Sequence, residues 1–195
     1  MYIENSRFIL CFKGNMTIPD YILNKINFSI LDIFDSYCWI AGGAISDALM
    51  SMYINDIDIF FPTAHEKDIA KDTVLDNGGT LIDTKPNGHR MVLNDQRIDI
   101  IHLGRNPLET ILSFDYSICC IAIDKNKQVY KLPNYDYDLK ERRLTYLNND
   151  PTPGKHPVNK ANRLLKYLKK GYTISNTELK CWLDQLIKDQ EVRVR

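Results

Sequence analysis

The chain has 195 residues, 44% of them hydrophobic, with 25 Lys+Arg against 25 Asp+Glu and a formal net charge of zero. That length suits one compact domain or a domain with a helical extension, and that composition excludes a globally disordered chain. A zero balance removes any whole-molecule attraction to nucleic acid or anionic membranes, so a polyanion could be met only through a local patch.

Thr17-Ile18-Pro19-Asp20 reads as a helix start, with Thr17 or a neighbour capping and proline in the first turn. Apolar residues then recur with a helical period at Ile22, Leu23, Ile26, Ile30, Ile33 and Phe34. Cys38-Trp39-Ile40-Ala41 is a short buried strand ending in two glycines, and residues 44–50 suit a helix leaving that turn. Residues 57–61 form a β-rich run stopped by Pro62, and residues 64–76 a helix ending at Gly78-Gly79. Strand-like runs follow at 80–84, 90–93 and 97–103, with turn chemistry at Asn87-Gly88 and Asn94-Asp95. A helix is expected over 107–114, then strands over 118–123 and 128–132 about a turn at 124–127. Helices are expected over 136–148, 159–170 and 175–190, and residues 150–157 read as a linker.

The expected fold is α/β (or α+β), a mixed sheet of about five strands flanked by helices, with residues 1–133 as the α/β domain and 134–195 as a helical part. The five cysteines, Cys11, Cys38, Cys119, Cys120 and Cys181, lack zinc-ligand spacing and mostly sit among apolar neighbours, as reduced core thiols do. His65, His89, His102 and His156 show no metal spacing either. No stretch approaches the roughly 18–20 apolar residues needed to span a bilayer, and the N-terminus lacks a signal-peptide pattern. The expectation is a soluble, cytoplasmic protein with no membrane partner; the oligomeric state is left open.

The chemistry concentrates in two stretches. In Trp39-Ile40-Ala41-Gly42-Gly43, a strand runs into two glycines and a helix start, which lets backbone N–H groups approach a phosphate. In Asp56-Ile57-Asp58, two carboxylates at i and i+2 of a strand leave the same face and can jointly hold a hard cation such as Mg²⁺ or Mn²⁺. A third acid, Asp99, lies within Arg97-Ile98-Asp99-Ile100-Ile101, where a carboxylate is costly without a partner or a task.

This ordered set resembles the polymerase-β-like nucleotidyltransferase superfamily, whose members carry a small-residue pair, an acid-hydrophobic-acid triplet about a dozen residues later, and a third acid on a later strand. The nearest likeness is to the head domain of tRNA nucleotidyltransferases and bacterial poly(A) polymerases. Their Gly-Gly-x-x-Arg-Asp corresponds to Gly42-Gly43-Ala44-Ile45-Ser46-Asp47, their Arg-Arg-Asp-Phe-Thr-Ile to Ser113-Phe114-Asp115-Tyr116-Ser117-Ile118, and the start of their neck to residues 163–174. Ser46 and Ser113-Phe114 stand where those enzymes have arginines, and their neck Glu-Asp-x-x-Arg has no counterpart.

The resemblance implies a two-metal transfer of a nucleoside monophosphate from an NTP to an acceptor hydroxyl with pyrophosphate release. Asp56, Asp58 and Asp99 would be catalytic and metal-binding, and Gly42, Gly43, Ser46, Asp47, Arg163 and Lys166 would bind the nucleotide. The leading acceptor is an RNA 3′ end. Adenylylation of a small molecule or protein is the second enzyme reading, and a non-catalytic nucleotide- or RNA-binding protein the third. Asp47 could instead brace its loop, and Asp115 reads as structural. The basic run Lys155, Lys160, Arg163, Lys166, Lys169 and Lys170 could meet phosphates or be a solvated face over Leu164, Leu165 and Leu168.

Overall fold

The computed structural model describes residues 12–14, 18–147 and 157–191. In chain order the elements begin with β1 (Phe12–Gly14), α1 (Asp20–Lys25), a 3₁₀ turn (Phe28–Ile33), β2 (Trp39–Ala41), α2 (Gly43–Leu49), β3 (Ile57–Phe61) and α3 (Ala64–Asp76). Then come β4 (Thr80–Lys85), β5 (Gly88–Leu93), β6 (Gln96–His102), α4 (Pro107–Leu112), β7 (Ile121–Asp124) and β8 (Val129–Lys131). The chain closes with α5 (Tyr135–Lys140), β9 (Arg143–Leu144), α6 (Pro157–Lys169), β10 (Thr173–Ile174) and α7 (Asn176–Glu191).

Among the described residues eight strands form one mixed sheet in the order β1-β8-β7-β2-β3-β6-β5-β4, wider than the expected five because every strand-like run joins it and β1 adds an edge. Only β3 and β6 pair in parallel; the other contacts in this sheet are antiparallel. The short β9 and β10 pair in parallel on their own.

Strand alternation divides the side chains between two cores. On one face Ile40, Ile57, Ile59, Phe61, Ile98 and Ile100 join the larger core with α1, α2 and α3. On the other, Trp39, Ala41, Phe60 and Ala122 pack with Ile111 of α4 and Leu132. Asp56 and Asp58 share the parity of Phe60, so they stand on the α4 face, and Asp58 is the register partner of Asp99.

Two expected helices are shorter than their apolar period suggests. Asn27 takes a left-handed conformation (φ 48°), which ends α1 and restarts the chain as a 3₁₀ turn. Arg142 does the same after α5 (φ 50°), and Arg143–Leu144 then extend to pair with Thr173–Ile174. The Asn94-Asp95 turn has positive φ at both residues, as a two-residue hairpin of this hand requires. The β4–β5 hairpin turns at 86–87, one residue before the expected pair. Thr17 and residues 150–156 of the expected linker lie outside the described residues. Among the described residues no helix is long and apolar enough to cross a membrane.

The C-terminal helices share the larger core. Tyr116 packs edge-on against Tyr167, and Tyr167 against Tyr172, with Leu164 and Trp182 buried beside them. Trp182 is only 6% exposed. We expect Trp182→Ala to lower the unfolding free energy by about 3–5 kcal/mol, measured by urea denaturation; a loss below about 1 kcal/mol would mean that α7 does not belong to this core.

Candidate active site

Gly42 ends β2 with φ 93° and ψ −149°, a backbone conformation open to glycine alone. It brings the chain past Asp58 so closely that a Cβ at Gly42 would lie 3.8 Å from Asp58 Oδ2 and from the Phe114 ring. Gly43 then begins α2, and a Cβ there would lie 3.7 Å from the Tyr167 hydroxyl. Around this turn opens a cleft of about 350 Å³. Gly42, Gly43, Ala44, Asp47, Asp56 and Asp58 form its sheet side; Phe114, Asp115 and Cys119 line it from the loop after α4; Asn162, Arg163, Lys166 and Tyr167 of α6 form the opposite wall.

The electrostatics of the cleft centre on Asp58. Desolvation, then Asp56, then Asp99 push its carboxyl up to about 7, against the opposing pull of Lys166 and Arg163. A cation between Asp56 and Asp58 would relieve that repulsion, and two oxygen donors beside an open cleft suit Mg²⁺ or Mn²⁺. Among the described residues no group of three or more Asp, Glu, His or Cys is placed to hold a metal ion. Asp99 stands beside Asp58 in the strand register, yet both its oxygens accept from Arg90, Nε to Oδ1 at 2.8 Å and Nη2 to Oδ2 at 2.6 Å.

Of the other expected site residues, Gly42, Gly43, Asp47, Arg163 and Lys166 come together in the cleft wall. Ser46 does not. It is buried on the core side of α2, where its hydroxyl donates to the Ile118 carbonyl and meets the Tyr135 hydroxyl at 2.8 Å. A side chain so engaged is not offered to a nucleotide. Asp47 is nearly buried, and its two oxygens accept from Lys170 Nζ at 2.8 and 2.6 Å, so it braces α2 against the end of α6. Arg163 pairs with Asp115 at 2.9 Å. Burial opposes the charge of Arg163, but the Asp115 carboxylate more than offsets this and raises its pKa.

Residues 16–142 match the model of the family described as "Gad2: Gabija anti-defense 2 family protein", which is well over half of the chain. The chain belongs to the Gabija anti-defense 2 family. No curated protein matches it. Among solved structures it is similar to the Thermotoga maritima CCA-adding enzyme complexed with tRNA, at TM-score 0.61 and 18% identity, covering 92% of this chain and 45% of that one. A CCA-adding enzyme with ATP gives TM-score 0.61 and 19% identity, covering 92% and 46%. A tRNA nucleotidyltransferase complexed with a primer tRNA and an incoming ATP analogue gives 0.57 and 16%, covering 85% and 50%. These likenesses show a nucleotidyltransferase fold, and this chain spans about half the length of those structures.

In this Gabija anti-defense 2 protein the cleft residues Ala44, Phe114, Cys119, Asn162 and Tyr167 were not among the expected site residues. Tyr167 packs and also borders the cleft, its hydroxyl 2.7 Å from Cys119 Sγ. Desolvation and the nearby Asp115 push the Cys119 thiol up to about 12, so it contributes a neutral wall and no thiolate. The signal for Asn162 was its place one residue before Arg163 on a helix already expected to face the cleft.

Two outcomes follow from this geometry. Gly42→Ala should cost about 1–3 kcal/mol, because an L side chain is strained at that backbone angle; urea unfolding of the variant reads this directly. Asp58 has a folded pKa of about 7 against an ordinary 3.8, so the folded state holds a proton that the unfolded state has released. The metal-free wild type should therefore lose stability relative to Asp58→Asn as pH rises from about 4 to about 7, and no further above that. Denaturant midpoints of both proteins across that range check the sign.

Proposed function

We propose that this protein is a nucleotidyltransferase that moves a nucleoside monophosphate from an NTP to an acceptor hydroxyl. The observation that carries this reading is one arrangement: the Asp58 carboxylate beside the glycine-only turn at Gly42, with Asp56 next to it and Arg163 and Lys166 across a single cleft. The nucleotidyltransferase fold of the structural neighbours supports it.

In this reading the backbone at Gly42 and Gly43 lets the triphosphate approach closely, because no side chain stands in its way. Arg163 and Lys166 face it from α6 and offset its charge; Asp115 fixes the Arg163 guanidinium in that wall. Asp56 and Asp58 would hold Mg²⁺ or Mn²⁺, which when bound supplies charge neutralisation on the triphosphate. The acceptor hydroxyl oxygen forms a bond to the α-phosphorus and its proton is released to solvent; the bond between the α-phosphorus and its bridging oxygen to the β-phosphate breaks, and pyrophosphate departs. The rate gain comes from orienting these partners in a fixed electrostatic setting.

The leading acceptor is an RNA 3′ hydroxyl, a reading supported by neighbours complexed with tRNA. A protein hydroxyl is the second reading. It is favoured by the family's description as anti-defense, which directs attention to components of that defence as acceptors.

The test is pyrophosphate release with each of the four NTPs, Mg²⁺ or Mn²⁺, and either a small-RNA pool or extract from cells carrying the Gabija defence. We expect metal-dependent release that falls at least about 100-fold in an Asp56→Ala/Asp58→Ala variant. Release that is unchanged in that variant would remove the two carboxylates from the mechanism.

A further inference from the structure

The partner of Asp99 changes how the carboxylates divide their work. Arg90 on β5 and Asp99 on β6 are cross-strand partners, and Asp99 is in turn the register partner of Asp58 on β3. One positive and two negative side chains therefore stand in a row across neighbouring strands, about 4.8 Å from one strand to the next. The guanidinium engages both oxygens of Asp99 through Nε and Nη2, the two-pronged geometry that makes arginine–carboxylate pairs strong and directional.

Asp99 is also set apart from the nucleotide cleft. It lines a separate hollow of about 230 Å³ with Lys85, Asn87, Gly88, Arg90 and others, while Asp56 and Asp58 line the larger cleft. Among the described residues no third acid joins Asp56 and Asp58 in a metal-holding group.

We propose that Arg90 is the built-in counter-cation of Asp99, so that Asp56 and Asp58 alone make up the metal site of this chain and Asp99 is a positioning residue. The inference rests on the nucleotidyltransferase reading above and deepens it. A two-metal site uses a second ion to balance the charge that gathers between its carboxylates and the reacting oxygens. Here a covalently tethered guanidinium supplies that balance on the Asp99 side. Its position is fixed by strand register and does not depend on metal concentration. Asp99 in turn aims the guanidinium, which lysine could not replace, since an ammonium is a single point charge without the fork.

The experiment counts bound ions. Wild type, Asp58→Asn, Asp99→Asn, Arg90→Gln and the Arg90→Gln/Asp99→Asn double variant are titrated with Mn²⁺ alone, free Mn²⁺ being read by electron paramagnetic resonance and folding by thermal unfolding. We expect one Mn²⁺ per wild-type chain, lost in Asp58→Asn and kept in Asp99→Asn. Arg90→Gln should bind a second Mn²⁺ at the freed Asp99, and the double variant should return to one. Two Mn²⁺ in wild type, none in Asp99→Asn, or only one in a folded Arg90→Gln would overturn the assignment while leaving the metal-dependent transferase standing. No Mn²⁺ bound by wild type would overturn both. Should Arg90→Gln fail to fold, the wild-type and Asp99→Asn counts still decide.

Discussion

Two carboxylates on neighbouring strands, partly withdrawn from water, repel each other unless cations stand close by. The sheet around Asp58 and Asp99 is built about that constraint. Parallel pairing of β3 with β6 sets the two acids side by side, and their β-branched neighbours Ile57, Ile59, Ile98 and Ile100 anchor that register in the larger core. Slipping either strand by one residue would turn the acids into the core and the isoleucines out of it. The repulsion is thus held in place by apolar burial on the opposite face. It is eased on one side by Arg90, which pairs with Asp99, and on the other by Lys166 and Arg163, which oppose the upward shift of Asp58.

The cations of α6 reach the site because that helix is fixed at several points. Tyr167 sits in a chain of tyrosine contacts between Tyr116 and Tyr172, Lys170 grips Asp47 at the end of the helix, and Arg163 pairs with Asp115. Asp47, expected at the nucleotide, and Asp115, expected to be structural, are both engaged in these links. They orient the wall of the cleft, and the cleft keeps its polar character through residues that the links hold in place.

Apart from its edge strand β1, the sheet was legible because its strands are short apolar runs bounded by glycine, proline or asparagine, and the pair Gly42-Gly43 with Asp56-Ile57-Asp58 pointed to the candidate cleft. Local backbone reversals were not legible. Nothing in the apolar period from Ile22 to Phe34 announces that Asn27 turns left-handed, nor does the run after Tyr135 announce Arg142. The fate of Ser46 was hidden for a different reason. Its position in the motif suggested a phosphate contact, but its partners Ile118 and Tyr135 are 72 and 89 residues away in sequence. The partner of Asp99 was hidden in the same way: the antiparallel register of β5 with β6, not nearness in sequence, sets Arg90 opposite it.

The proposed chemistry can be separated from the other reactions a nucleotide cleft supports by following the label. The protein is incubated with metal ion and the acceptor mixture, once with α-³²P-labelled and once with γ-³²P-labelled NTP, and the macromolecular fraction is resolved on a denaturing gel. The account predicts label on an acceptor from the α position and none from the γ position, with digestion by ribonuclease or protease telling which kind of acceptor it is. Transfer of the γ label, or hydrolysis to NDP and phosphate with no acceptor labelled, would contradict it.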